Sequence, residues 1–575
     1  MRRRSVLAKR VGRCAPVIAG LAGAALALVL GVAEGESPLR VAPPRIIRTL
    51  PVSGAGVSTI GANWRIVQEN SFPGTTAWKP DPAHYRVPTA DADGVIPIRG
   101  YASATSVNHG EQITFYVTNH PGRKATDAEP TFDLEIFRLG YYGGTGGRSL
   151  TKVSSIAGTR QPPCVRSAPP PAGSGLVECH WSPSYTLAVP AAWTSGVYVA
   201  QLINSEHYET YVPFVVRDDA VAADFLYQQP VATYQAYNNF GGRSLYKCDT
   251  EDCPKSPAKL PGTRVSFDRP YADQWGAGQL FYRDFSEQKF IFHLEQMGYD
   301  VTYSTDVDTH ANPARLLTVR GFLAVGHGEY WSREMYDAMQ VARDHGTHLA
   351  FFSGNTGYWQ IRFEPSTTGV PNRTIVCYKA QPDPNPDPAY RTRNWRTLGR
   401  PEQTLLGVQW GNGMDYLPGP DGTYAPGTGF PLTVHGASHW IYAGTGVQEG
   451  QQVADVVGQE WDSVNAGTPL PPNTAFDVVA HTTMTYDPKG VPGSTTIYPP
   501  PYYSATADTV VYTAYSGALV FNAGTIIWGH AMDESPIVLQ MTHNVLDRFL
   551  AITPDPSANP LVRGILSINA VVADD

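Results

Sequence analysis

The feature that most constrains this chain is a change of hydrophobic period near Asp218. Before it, from about Trp64 to Val216, apolar and polar residues alternate in short runs bounded by turn residues, as in 112–117, 132–137 and 196–202. A period of two sends successive side chains to opposite faces of a strand, and no helical period is present, so this stretch predicts short strands. After Asp218 the pattern changes. Phe225–Tyr227 reads as a short buried strand followed by a long aromatic loop, and 284–298 reads as an amphipathic helix ended by Gly298. Asp300–Ser304 is a second strand. Gly321–Gly326 is a third, apolar throughout and therefore buried on both faces. Ser332 caps a helix to about His345, His348–Phe352 is a fourth strand and Thr374–Tyr378 a fifth. Strands alternating with helices predict a mostly parallel, doubly wound sheet.

The expected organisation follows from that switch. At 575 residues the chain exceeds one ordinary domain. Residues 61–217 read as an immunoglobulin-like β-sandwich. Residues 218–553 read as an α/β domain of glutamine-amidotransferase-like topology, with a β-rich elaboration over 380–530 and a final helix over 535–550. A Pro-rich linker, 34–60, precedes them and a short tail, 554–575, follows. The Gly-rich run Gly140–Gly144 opens no helix, so it reads as a hairpin and not as a phosphate cradle.

Residues 1–33 read as an export signal: six basic residues up to Arg13, an apolar stretch from Ala15 to Ala33, and small residues at 31–33 for cleavage. Arg3-Arg4-Ser5-Val6-Leu7 loosely matches a twin-arginine signal. Uncleaved, the segment would be a membrane anchor. Its removal takes six positive charges and no negative ones from a net charge of −8, and no basic block remains to hold nucleic acid. Once it is removed, no remaining segment is apolar enough to span a membrane. Of the six cysteines, Cys14 leaves with the signal. Cys164 pairs with Cys179 and Cys248 with Cys253 in this reading, and Cys377 is left over, which suits an oxidising compartment.

In an open α/β sheet, ligands bind beyond the carboxyl ends of the strands. There the sequence places Tyr234, Tyr237, Asn238, Tyr246 and Tyr271 after the first strand, and His327-Gly328-Glu329 after the third. Ser353-Gly354-Asn355 follows the fourth strand and Lys379 the fifth. Glu329 is a candidate metal ligand, His327 a proton carrier and Asn355 a carbonyl-orienting group. Each residue alone has a plainer reading: a satisfied core histidine, a salt-bridged glutamate, a packing tyrosine, a turn asparagine, a solvated lysine. No Gly-x-Ser-x-Gly, His-Glu-x-x-His, P-loop or Cys-x-x-Cys motif is present, and no Cys sits at an amidotransferase elbow.

Taken together, Tyr234–Asn238 with Gly241–Tyr246, Val265–Tyr271, Gly326–Ser332, Ser353–Asn355 and Gly458–Asp462 resemble the catalytic, large subunit of N,N-dimethylformamidase over about 220–550. The resemblance implies an amidohydrolase with one mononuclear Fe(III) held by two tyrosines and a glutamate. Carried over, the ligands are Tyr237, Tyr271 and Glu329, with Tyr234 competing for the place of Tyr237. His327 and Asn355 would lie near the substrate, with Lys379 and Glu460 as supporting groups and Glu460 able to act on protons. The implied substrate is a small amide. The resemblance leaves open a homo-oligomer or a small partner subunit. A competing reading is an extracytoplasmic binding or surface protein on the same scaffold with an inactive site.

Overall fold

A computed structural model describes residues 64–88, 96–120, 130–253, 260–281, 287–379, 381–413, 429–486 and 503–554. The export signal, the Pro-rich linker and the tail beyond 554 lie outside the described residues. The fold is mixed α/β and rich in sheets.

Two sheets form first. One has three strands in the order Ile98–Ala102, Gln112–Asn119, Tyr185–Ala188. The other has five, in the order Ser106–Asn108, Glu209–Arg217, Gly196–Asn204, Phe132–Leu139, Gly147–Ile156. The inward residues of both, including Ile113, Phe115, Leu134, Ile136, Leu202 and Phe214, share one buried core. Alternation accounts for this layer: every second side chain is interior. Gly140–Gly144 is the expected hairpin, with a tight helical turn at Tyr142–Gly144. One expectation fails here. The stretch is not purely strand, because Trp64–Asn70 is a helix, with Ile66 buried in the core shared by the five-stranded sheet and the helix Glu287–Gln296.

Behind these sheets lies a seven-stranded sheet. Its order is Val301–Thr305, Phe225–Gln229, Gly321–Gly326, His348–Ser353, Leu519–Asn522, Tyr503–Thr513, Ala475–Tyr486. The first five strands pair in parallel and the last two antiparallel. Apolar side chains cover both faces. The helices Glu287–Gln296, Trp528–Glu534 and Pro536–Ala551 pack on one side, and Arg333–Asp344 packs on the other. Ser332 caps Arg333–Asp344 as expected, its hydroxyl accepting from Met335 N. Gly298 follows Glu287–Gln296 at φ +74°, a left-handed value that suits glycine.

Two expectations for this sheet are corrected. The segment after Phe225–Gln229 is not a loop: Val231–Tyr237 is a helix that starts directly after Pro230. Thr374–Val376 is a strand, but it belongs to a separate four-stranded sheet with Arg264–Ser266, Trp359–Glu364 and Tyr330–Ser332. The place beside His348–Ser353 is filled by Leu519–Asn522, about 170 residues further along the chain. A β-branched run fits either sheet, and only tertiary packing selects between them.

The front sheets and the α/β part share a core in which Phe137, Val199 and Val215 meet Tyr227, Phe290 and Tyr303. Arg138 of the five-stranded sheet crosses this boundary to Glu295, with donor–acceptor distances of 2.6 and 2.9 Å, and both side chains are fully buried. All the described residues fall within one unit, Val57–Asp575. Among them, no helix is long and apolar enough to cross a membrane. Cys164–Cys179 and Cys248–Cys253 are disulfides, and Cys377 is a buried thiol.

Candidate active site

The site is built on the end of the Gly321–Gly326 strand. Gly326 has φ +74°, and a Cβ there would lie 2.5 Å from Glu287 Oε1. Only glycine fits, and the chain turns through His327 and Gly328 to Glu329 before the short Tyr330–Ser332 strand. Thr233 Oγ1 accepts from Glu329 N at 3.1 Å, which fixes the turn against the Val231–Tyr237 helix. His327 and Glu329 are both buried.

Tyr237, the last residue of that helix, places its hydroxyl 2.8 Å from Glu329 Oε2. A turn carrying Tyr246 folds back over it. Tyr246 Oη lies 2.8 and 3.0 Å from the two Glu329 oxygens and 2.9 Å from Tyr237 Oη, and the two phenol rings stack with centroids 4.3 Å apart. Tyr330 Oη hydrogen-bonds Tyr246 Oη. Lys379 Nζ donates to Tyr330 Oη at 2.5 Å and sits 3.3 Å from the Tyr246 ring centroid, a cation–π contact. On the other side, His327 Nε2 is 3.4 Å from Glu329 and 3.3 Å from Glu460. Asn355 Nδ2 donates to Glu460, and Asn355 N donates to Asp462 Oδ1 at 2.9 Å. Asn355 and Gln459 hold φ of +49° and +56°, strained values for non-glycine residues that concentrate at functional sites.

These groups open on a cavity of about 400 Å³ lined by Tyr237, Tyr246, Tyr271, His327 and Glu460, among others, a size suited to a small organic ligand. The structure therefore brings together Tyr237, Glu329, His327, Glu460, Asn355 and Lys379. Tyr271 lines the same cavity, but among the described contacts no hydrogen bond joins it to Glu329. Its ring packs edge-on against Tyr234, 6.2 Å away. Tyr234, the competitor of Tyr237, takes a hydrogen bond from Gln229 Nε2 deeper in the core. The sequence places Tyr246 beyond the first strand but gives it no role, and it does not single out Tyr330. Tyr246 stood inside the Gly241–Tyr246 motif, and the flanking Cys248 and Cys253 were the available sign that this turn is held in place.

The electrostatics set the chemistry. Burial, and then the charge of Glu329, push the Tyr237 and Tyr246 phenols well above their ordinary range, so without a cation both stay neutral. Burial alone would lower the His327 imidazole. The charge and hydrogen bond of Glu460, with Glu329 and Glu287 behind, outweigh it and raise the group. Burial tends to raise Glu460, but His327, Asn355 and Lys379 bring it below the usual carboxylate range. Burial lowers Lys379. Among the described residues, no three His, Cys, Asp or Glu side chains form a metal-holding group. The donors that do converge are two phenols and one carboxylate, all hard oxygens. That set fits a hard, highly charged cation, the only kind of partner that would ionise both phenols at neutral pH.

The C-terminal pattern of the N,N-dimethylformamidase beta subunit-like family matches residues 133–544. The chain belongs to that family. The match starts within the five-stranded front sheet, so the family's span includes most of that sheet as well as the α/β part expected from the motifs. No curated protein matches the sequence. Among solved structures, a cycloisomaltooligosaccharide glucanotransferase from Paenibacillus sp., complexed with cycloisomaltoheptaose, is similar at 12% identity with a TM-score of 0.14. That match covers 44% of this chain and 44% of the glucanotransferase chain, less than half the length of either, and carries no argument.

Behind these site groups, Glu287 is fully buried, and burial raises its carboxyl to about 8. The folded state thus prefers the protonated acid. Its contribution is complete below the unfolded value near 4.5 and is lost as pH rises toward about 8, at about 1.4 kcal/mol per pH unit. Glu287→Gln is expected to flatten this part of the stability curve, read by urea unfolding from pH 5 to 9. An unchanged slope in the variant would assign the dependence elsewhere.

Proposed function

We propose that this chain is an exported, iron-dependent hydrolase of amide C–N bonds, similar in chemistry to an N,N-dimethylformamidase. The observation that carries this reading is the convergence of the Tyr237 and Tyr246 hydroxyls on both Glu329 oxygens, beside the His327–Glu460 pair. Tyr237, Tyr246 and Glu329 would hold a mononuclear Fe(III), and Tyr271 would be part of the cavity wall. When bound, the ion would supply Lewis acidity toward a carbonyl oxygen and acidify water. The protein's own groups do the rest. His327, with Glu460 behind it, accepts a proton from water and returns it to the departing amine. Asn355 fixes the Glu460 carboxylate, so its amide serves orientation. Lys379 fixes Tyr330 and, through it, the Tyr246 hydroxyl.

The finer fold reading belongs here too: an immunoglobulin-like sandwich in front of an amidotransferase-like α/β domain. The face-to-face front sheets and the five parallel strands support it. Two disulfides support an extracytoplasmic location. The beta subunit in the family's description supports a partner subunit.

The test is hydrolysis of N,N-dimethylformamide and other simple amides by iron-loaded protein, read as acid release. His327→Gln is expected to keep its metal and lose turnover by about 10²–10⁴-fold, the usual loss of a general base. Iron-loaded protein inert toward every simple amide would overturn the reading and favour a binding protein.

A further inference from the structure

We propose that the Cys248–Cys253 disulfide is a positioning element for Tyr246, so that this phenol meets Glu329 only while the disulfide is closed. The inference rests on the reading of Tyr246 as a metal ligand.

Tyr246 is held by burial only at its hydroxyl, which is turned inward onto Glu329. It is 40% exposed, the most solvent-open residue among the converging donors. Its neighbour Leu245 is buried among Val231, Ala236 and Val265, so adjacent side chains leave the turn in opposite directions. Short-range hydrogen bonds shape the turn: Ser244 Oγ accepts from Tyr246 N and Lys247 N at 3.1 and 3.0 Å, and Asp249 N donates to Gly242 O at 2.8 Å. Arg243 and Cys248 pair across it as an isolated antiparallel bridge. Such a turn, exposed on one side, frays unless its ends are tied.

The tie is the disulfide, acting through a buried cation. The Arg243 residue is 0% exposed. Its guanidinium donates to both Asp252 oxygens at 2.5–2.6 Å and to Thr250 Oγ1 at 2.9 Å. Thr250 and Asp252 both lie inside the Cys248–Cys253 loop. The disulfide therefore holds the counter-ion of Arg243, one residue before the Ser244 turn that presents Tyr246. Opening the loop would free Asp252, which is itself 57% exposed at its side chain, and leave a buried cation at the base of the turn. Cys164–Cys179, by contrast, lies in the front part of the chain and touches none of the converging donors among the described contacts.

The experiment compares Cys248→Ser/Cys253→Ser with Cys164→Ala/Cys179→Ala in the full chain, by titration with Fe(III) followed at the phenolate absorption band and by hydrogen exchange over 243–248. The first variant is expected to bind Fe(III) at least about tenfold more weakly, the loss typical when a group that orients a metal ligand is removed. It should also exchange faster over 243–248. The second should keep the band and the slow exchange. If the serine variant fails to fold, the same readouts are taken on folded Cys164→Ala/Cys179→Ala protein treated with a phosphine. The phosphine and one water convert the remaining disulfide to two thiols and a phosphine oxide before iron is added. Affinity within about twofold of the parent with unchanged exchange would overturn the proposal. If the parent protein shows no phenolate band at all, the ligand reading fails on its own. Exchange over 243–248 then decides the positioning role, with faster exchange supporting it and unchanged exchange ending it.

Discussion

Tyr237→Phe and Tyr246→Phe should each lower amide hydrolysis by about 10³-fold or more while leaving the fold intact. Each change deletes one oxygen. At Tyr237 that oxygen is 2.8 Å from Glu329 Oε2, and at Tyr246 it is 2.8 Å from Oε1. A Lewis acid at such a site contributes several kcal/mol to the barrier, and every 1.4 kcal/mol is about tenfold in rate, so losing the ion costs about three orders of magnitude. The rings stay, so their stacking at 4.3 Å and the half-buried position of Tyr237 survive. Tyr271→Phe is the control. It removes a hydroxyl from the same cavity that makes no described contact with Glu329, and its effect should stay within about tenfold, the scale of one ordinary hydrogen bond. The measurement is kcat/KM with iron content and thermal unfolding on the same samples. A Tyr271→Phe loss as large as that of Tyr246→Phe would return the second ligand position to Tyr271.

Arg138→Met is expected to destabilise the protein by about 3–5 kcal/mol, the largest stability effect expected of a single change here. Arg138 and Glu295 are both 0% exposed at the side chain, and the guanidinium also donates to Ser195 O at 2.8 Å and Tyr142 Oη at 3.0 Å. Removing the cation leaves the Glu295 carboxylate in the core with, among the described contacts, only the Asn70 amide at 2.9 Å and the Tyr303 hydroxyl at 2.7 Å. Two neutral donors do not repay the desolvation of a charge. Arg138→Met/Glu295→Leu should recover much of the loss, because an apolar pair of similar volume needs no counter-charge. Urea unfolding measures both. A single-variant loss below about 1 kcal/mol would mean the boundary between the front sheets and the α/β part is not held by this pair.

Much of the architecture was legible from period and punctuation. Gly321–Gly326 carries no polar residue and is a central strand, and Ser332 and Gly298 mark helix limits by mechanisms that act within a few residues. What failed was non-local. Val231–Tyr237 looked like a loop because seven residues are too few to display a helical period, and its tyrosines fit a strand or a surface equally well. Thr374–Val376 was a strand assigned to the wrong sheet, since pairing partners are not written in a three-residue run. The site shows the same division. His327, Glu329 and Asn355 follow strand ends of the α/β sheet, where such a sheet collects its chemistry, so their positions followed from the order of elements. Glu460, by contrast, opens a strand of a separate two-stranded sheet and was reached only through the resemblance. Tyr246 lies in a turn 83 residues before Glu329, and nothing local marks which of several nearby tyrosines folds back over Tyr237. Arg138 and Glu295, 157 residues apart, show how little of a buried pair can be seen along a chain.

The most direct test of the Tyr237–Tyr246–Glu329 centre is iron analysis with a visible absorption spectrum of the reconstituted protein. The expected result is about one iron per chain with a phenolate-to-iron charge-transfer band that is lost in Tyr237→Phe and Tyr246→Phe and kept in Tyr271→Phe. Colourless protein that takes up no iron, or a band that survives Tyr246→Phe and disappears in Tyr271→Phe, would contradict it.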